Sequence, residues 1–526
     1  MPTMPTPQVV PATAPARAVR HNLVLAITCL ALGTVVAAMA SLNVALPDLA
    51  RETHASQTQL SWIIDAYSLV FAALLLPAGA LGDRFGRRKA LIAGLALFGG
   101  GSVAAACTTD PDALIALRGV LGVGAAMVMP ATLSTITGTF PRAQRARAVS
   151  VWAAVAGASA IVGIFATGSL LEAWSWRSVF LLNVVLAAMA LTGTVLFVPE
   201  SADSDQPRLD VVGALLATVG LVALVYSVIE APTRGWGDPL TLTGIAAGLL
   251  VLAGFVLFEL RRRHPLLDPR LFRNRRFAAG SLSIMLQFFV FFGFIFVMMQ
   301  YLQLVRSDSA LMAAVTMFPM ALAMIPVTRL TPKLVARFGA RGPWVTGLVA
   351  VALAMGVLSR LGTTSSYWLI SAGLVPLGMG MGLAMTPATT AITDALPRAL
   401  QNVGSAMNDL SRELGGALGI AVLGSLLSAA YRSHLSLPGA PEHVTDIARS
   451  SLAAASAIGG PVADRARTAF IDGMQLALLG AAFAAGVAAV AVALLLGRAG
   501  AEPGELVDEA EDEVSGARIP QPADVG

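Results

Sequence analysis

The chain has 526 residues, of which 56% are hydrophobic and only 13% charged. A soluble domain carries about 25% charged residues, so this sequence lacks the polar surface to cover itself with water. Its formal net charge of +4 would suit nucleic acid, but the arginines fall between apolar blocks, where membrane topology accounts for them, and no nucleic-acid partner is expected.

Residues 1–22 are rich in Pro, Ala and Thr and are expected to form an unstructured cytoplasmic tail. About 20 apolar residues cross a bilayer as one helix. Fourteen blocks qualify, at 23–46, 60–80, 90–108, 112–136, 147–171, 178–198, 211–230, 240–260, 277–302, 309–328, 343–361, 367–393, 404–431 and 470–497. Cys29 and Cys107 both lie inside such blocks and offer neither a disulfide framework nor a metal cluster.

Basic loops orient the spans, because they stay in the cytoplasm. The loop after the second span reads DRFGRRK (83–89), and the loop after the fourth holds Arg142, Arg145 and Arg147. Seven arginines lie between Arg261 and Arg276 after the eighth span, and Arg329, Lys333, Arg337 and Arg341 follow the tenth. Both termini are therefore expected in the cytoplasm, and the long loop 432–469 outside. The tail 498–526 carries seven acids between Glu502 and Glu513 and is expected to remain unfolded.

An internal repeat divides the chain. LGDRFGRR (81–88) returns as LVARFGAR (334–341), an offset of 253. LGVGAAMVMPAT (121–132), followed by PRA (141–143), returns as LGMGMGLAMTPAT (377–389), followed by PRA (397–399), and the triplets are offset by 256. The expected fold is all-α, two six-helix bundles at 23–198 and 277–497 with two inserted helices and a basic loop at 199–276. Both bundles start on the same side, which makes the repeat parallel.

Gly79-Ala80-Leu81-Gly82-Asp83-Arg84-Phe85-Gly86-Arg87-Arg88 resembles the signature loop between helices 2 and 3 of the major facilitator superfamily. Leu114 to Arg118 with Gly122-Val123-Gly124-Ala125-Ala126 resembles the helix-4 motif of its drug:proton antiporters. Asn43-Val44-Ala45-Leu46-Pro47, Ser61-Trp62-Ile63-Ile64-Asp65-Ala66-Tyr67 and Arg412-Glu413-Leu414-Gly415-Gly416 resemble its fourteen-helix branch, the EmrB/QacA-type exporters. The likeness runs over roughly 22–497. Four positions depart from it. Ala38 stands where relatives often carry Asp, Ile164 replaces a helix-5 proline, Thr167 replaces a helix-5 glycine, and Ala336 replaces the signature Asp in the second half. The resemblance implies that Gly79, Asp83, Arg84, Gly86, Arg87 and Arg88 gate the cytoplasmic side. It also implies that Gly157, Gly163 and Gly168 form an interface that opens and closes, although packing alone explains glycines there.

An ionisable side chain at the centre of a span costs at least ~2.5–3.5 kcal/mol. Asp65 lies five residues into the 60–80 block and Arg118 six residues into 112–136. The two are expected to pair, as a structural pin or as a proton site beside a fixed cation. Asp409, Arg412 and Glu413 share one helical face by their spacings of three and four. Two carboxylates four residues apart in a low dielectric resist ionising together, so Arg412 balances one and leaves the other to carry a proton. Asp409 alternatively only caps the helix start. The aromatics Phe288 to Phe296 are expected mostly to face lipid.

These features point to a proton-coupled secondary exporter of hydrophobic or amphipathic small molecules in the cell membrane, a drug or antibiotic efflux pump. No ATP-binding P-loop motif occurs, so the proton gradient is the expected energy source, with no cofactor and no metal. No catalytic constellation points to an enzyme. A lipid or metabolite transporter, or a transport-inactive sensor on the same fold, share most of these features.

Overall fold

Lipid offers the backbone no hydrogen bonds, so each crossing must satisfy its own. In the computed structural model the apolar blocks accordingly fold as long helices. The structure describes residues 21–200, 210–262, 265, 268–396 and 401–497. Residues 1–20 of the expected tail 1–22, the expected tail 498–526 and the triplet at 397–399 lie outside the described residues, while His21 and Asn22 belong to the first helix.

In chain order the helices are α1 (His21–Thr53), α2 (Gln57–Phe85), α3 (Arg87–Ala106), α4 (Pro111–Thr139), α5 (Arg142–Ala173), α6 (Arg177–Phe197), α7 (Val211–Arg234) and α8 (Pro239–Glu259). Then come α9 (Arg275–Gln300), α10 (Ala310–Thr316), α11 (Phe318–Phe338), α12 (Arg341–Leu358), α13 (Tyr367–Asp394), α14 (Gln401–His434), α15 (Glu442–Ser450), α16 (Leu452–Ile458) and α17 (Gly460–Gly497). Among the described residues, 13 helical stretches are long and apolar enough to cross a membrane, with α10 and α11 counted together. The fifth expected span falls on α5, whose described apolar stretch is shorter, Ala158–Ala173.

Two expectations change in detail. The tenth span is broken at Met317, between α10 and α11. The loop 432–469 is not open chain, since it holds α15, α16 and the first turns of α17. Its own polar groups fold it: Tyr431 Oη donates to the Ala448 carbonyl at 2.6 Å, and Ser451 Oγ accepts from the Ala454 N–H at 3.1 Å, capping α16.

The chain divides into two compact units. The first contains the chain to Leu267 with Ile295–Thr316 and Ile420–Gly473. In it α2 and α3 both pack on α4, α1 packs on α5 and α6, and the inserted α7 packs on α8 and on α2. Local chemistry fixes the helix ends. Ser56 caps α2 reciprocally with Gln59: its Oγ accepts the Gln59 N–H at 3.2 Å while Gln59 Oε1 accepts the Ser56 N–H at 3.0 Å. Such a capping box satisfies two donors that a helix start leaves unpaired. Glu52 at the end of α1 accepts from Trp176 Nε1 at 2.7 Å and pairs with Arg177, tying α6 to α1.

The second unit contains Asp268–Phe294, Met317–Gly419 and the chain from Met474. In it α11 and α12 both pack on α13. These are the repeat counterparts of α2, α3 and α4, so the repeat read from the sequence is also a repeat of packing. Trp344 of α12 donates to Ser283 Oγ of α9 at 2.8 Å, satisfying a buried indole N–H.

Candidate functional site

Asp65 sits in the third turn of α2 and is 0% exposed. Neither carboxylate oxygen has a hydrogen-bond partner among the described residues. Arg118 of α4 is also buried, but its guanidinium is engaged elsewhere. Nε donates to the Ile63 carbonyl at 2.8 Å, and the guanidinium carbon lies 4.3 Å from the centroid of the Tyr67 ring. Tyr67 Oη in turn donates to the Val35 carbonyl of α1 at 3.1 Å. The expected Asp65–Arg118 ion pair is therefore not formed. A helix carbonyl keeps a second lone pair after its ladder bond, and an aromatic face attracts a desolvated cation. Together they hold Arg118 without the acid. On α1, Asn43 is wholly buried and its Oδ1 has no partner among the described residues.

The second group lies on α14. Arg412 Nη1 is 3.9 Å from Asp409 Oδ1, a charge contact rather than a hydrogen bond, and its guanidinium covers the Phe288 ring at 4.7 Å. Glu413 is 6% exposed, and its Oε2 has no hydrogen-bond partner among the described residues. Arg412 thus faces Asp409, and Glu413 is the acid left over. The α9 aromatics do not behave as expected from the sequence. Phe288, Phe294 and Phe296 are buried and none of the six is exposed, because they pack against protein, as Phe288 does under Arg412.

The signature loop forms the turn from α2 to α3. Gly86 has φ +125°, and a Cβ built there would lie 2.7 Å from Glu200 Oε1. Only glycine suits both constraints. Glu200 accepts the Arg88 N–H at 3.2 Å, which places a carboxylate at the start of α3, where free N–H groups and the helix dipole favour it. Arg88 Nη2 donates to the Val195 carbonyl at the end of α6 at 2.6 Å. Arg84 covers the Phe85 ring at 5.6 Å. Arg87 is half-buried, and Gly79 packs against Pro130 of α4. The side chain of Asp83, and Gly157 of the helix-5 motif, lie outside the described residues. Sequence reasoning missed Glu200. Its signal was an acid two residues past the 178–198 block, on the side of the basic loops.

Part of the device is duplicated. Gly339, the repeat counterpart of Gly86, has φ +76°, and Arg337 covers Phe338 at 5.4 Å as Arg84 covers Phe85. Arg341, the counterpart of Arg88, reaches the last residue of α17: a Cβ built at Gly497 would lie 3.1 Å from its Nη2. On α5, a Cβ at Gly163 would lie 2.8 Å from the Ala37 carbonyl of α1, and one at Gly168 3.1 Å from Leu311 Cα of α10. Gly163 therefore allows α5 to touch α1 beside Ala38, itself 2% exposed.

Residues 28–420 match the family model of the Major Facilitator Superfamily. The chain is 34% identical to the multidrug resistance protein Stp of Mycobacterium tuberculosis, over 83% of this chain and 85% of that one. It is 31% identical to the tetracenomycin C resistance and export protein of Streptomyces glaucescens, over 94% and 95%. It is 35% identical to the methyl viologen resistance protein SmvA of Salmonella typhimurium, over 83% and 90%. A bacterial homolog of the human lysosomal transporter Spinster shares the fold at a TM-score of 0.67 and 16% identity, over 91% of this chain and 98% of that one.

Proposed function

The chain belongs to the major facilitator superfamily and is a multi-pass membrane transporter, and on that premise we propose that it exports hydrophobic or amphipathic small molecules, drugs and antibiotics among them, in exchange for protons. Relatives named for multidrug resistance and for tetracenomycin C resistance and export support the cargo class. The basic loops support a cell-membrane orientation with both termini in the cytoplasm.

The observation that carries proton coupling is Asp65. A buried charge costs several kcal/mol unless a proton or a cation compensates it. Here the neighbouring guanidinium forms no salt bridge with it: its Nε–H goes to the Ile63 carbonyl and it lies over the Tyr67 ring. A carboxylate so placed is suited to bind a proton in one conformation and release it in another, where water reaches it. Glu413 is the second such group, with Arg412 turned to Asp409. Gly86, Arg88 and Glu200 join the ends of α2, α3 and α6, which suits a gate and touches no substrate.

The test is drug accumulation in proteoliposomes with an acid lumen. Wild-type protein accumulates an aromatic cation such as ethidium, and a protonophore abolishes the accumulation. Accumulation that survives the protonophore would overturn proton coupling, and none in any gradient would overturn export.

A further inference from the structure

The inserted helix α7 packs against α2 within the first unit, and the contact is built from groups that bind organic cations. The rings of Trp62 and Tyr226 lie 5.6 Å apart, tilted by 44°. Trp62 Nε1 donates to Glu230 Oε1 at 3.3 Å. One turn further on, Arg234 Nη2 donates to Tyr226 Oη at 2.7 Å. Its guanidinium lies over the same ring at 5.2 Å, and its Nε is 3.8 Å from Glu230 Oε2. A guanidinium of the chain itself is thus held by an aromatic face and a carboxylate.

Beside Trp62, Tyr226 and Glu230 lies an open cleft of about 600 Å³, lined also by Thr58 and Thr233. Its far wall is Asp112, in the first turn of α4, which accepts from Gln59 Nε2 at 2.9 Å. A second cleft of about 450 Å³ against α8 shares Tyr226 with the first and is lined by Arg234, Val219, Val222 and Leu240. Asp112 and Glu230 are the charged residues of this cleft's wall, and Arg234 is held against Glu230 and Tyr226. A tie between α2 and α7 would need the indole bond and the ring pair. It would need neither the open space nor a carboxylate on the opposite wall. The start of α2, the start of α4 and the end of α7 are all on the side away from the basic loops.

We infer that this cleft is a binding site for a lipophilic or aromatic organic cation, and that Arg234 is a tethered cation which the ligand displaces from Tyr226 and Glu230. With Arg234 displaced, Asp112 and Glu230 supply the counter-charge. The aromatic faces hold its body through cation–π contact. The return of Arg234 keeps occupancy short. That this is where a cationic substrate rests after leaving the transport path rests on the export reading above; the binding itself does not.

The experiment uses the full chain in nanodiscs with Cys29→Ser, Cys107→Ser and a reporter Thr58→Cys on the cleft wall. Labelling by a trimethylammonium thiosulfonate is compared with labelling by a neutral one, with and without tetraphenylphosphonium. Tetraphenylphosphonium is expected to protect Thr58→Cys, and Glu230→Gln with Asp112→Asn should lower the cationic-to-neutral rate ratio about tenfold. Arg234→Gln should lower the protecting concentration, again about tenfold, a gain that misfolding cannot imitate. Failure of millimolar tetraphenylphosphonium to protect, or equal protection in wild type, Arg234→Gln and Glu230→Gln, would overturn the site. Protection in a wild-type protein that exports nothing would leave the site standing and remove the export reading. Normal export without protection would do the reverse.

Discussion

Asp65 and Arg118 are both buried on neighbouring helices, yet no ion pair joins them. The arginine gives its Nε–H to the Ile63 carbonyl and lies over the Tyr67 ring, and its buried Nη2 has no hydrogen-bond partner among the described residues. The acid of one motif and the cation of another thus have separate tasks: Arg118 fastens α4 to α2, and Asp65 is left to react. This division yields opposite expectations for the two residues.

Asp65→Asn should abolish gradient-driven efflux while leaving expression intact. Replacing a buried carboxyl that has no hydrogen-bond partner by an amide of the same size should also leave the stability of the fold within about 1 kcal/mol. Transport in proteoliposomes and thermal denaturation in detergent measure the two arms. Wild-type efflux in the variant returns Asp65 to a structural role.

Arg118→Leu should destabilise the protein by about 2–4 kcal/mol, since it removes a hydrogen bond from a charged donor and a desolvated cation–π contact. The expected readout is a lower melting temperature and less protein in the membrane fraction. An unchanged melting temperature would show that α4 needs no such pin.

Gly86→Ala and Gly339→Ala should differ although they are repeat counterparts. Both force an L residue to positive φ, at about 1–3 kcal/mol each. At Gly86 the new Cβ also meets Glu200, whereas nothing lies within 4 Å at Gly339. Transport should therefore fall much further in Gly86→Ala. Equal losses would mean that Glu200 yields freely and is no part of the gate.

Much of this architecture is legible in the sequence because hydropathy and the arginine loops are local signals. The offset of 253 that pairs LGDRFGRR with LVARFGAR correctly matched two glycines of positive φ, Gly86 and Gly339. What the sequence hides is the choice a side chain makes among competing partners. Asp65 and Arg118 look like an ion pair until the Ile63 carbonyl and the Tyr67 face come within reach of the guanidinium. Glu200 lies 112 residues from Arg88, and only the packing of α3 on α6 brings them together. The same holds for Trp62 and Glu230, which are 168 residues apart and meet because α7 lies on α2.

Reporter fusions after residues 90, 142, 270 and 498 should report cytoplasm, and a fusion near 450, in the α15–α16 segment, should report the outside. A cytoplasmic signal at 450 would reverse the crossing of α14 and overturn the expected helix count.

Charge selectivity should follow from the count of membrane-embedded acids. Ala38 occupies the α1 position where relatives often carry an Asp, and it is buried at 2% exposure. Asp65 and Glu413 are then the two best proton carriers, because Asp409 is faced by Arg412. Fewer titratable sites exchange fewer protons per cycle, about one or two here. Each charge moved across 100 mV supplies only about 2.3 kcal/mol. The steepest gradient the protein can build is therefore limited, and more so for a dication, which spends two charges against the membrane potential. A dication also needs a second negative charge along its path, and a methyl group at position 38 cannot supply one. Neutral and singly charged substrates should accordingly be exported better than matched dications. Efflux of paired mono- and dicationic compounds at a fixed pH gradient is the measurement. Restored dication export in Ala38→Asp would support the count. Robust dication export that depends on neither Asp65 nor Glu413 would refute it, since the charge balance would then have to come from groups outside the two sites described.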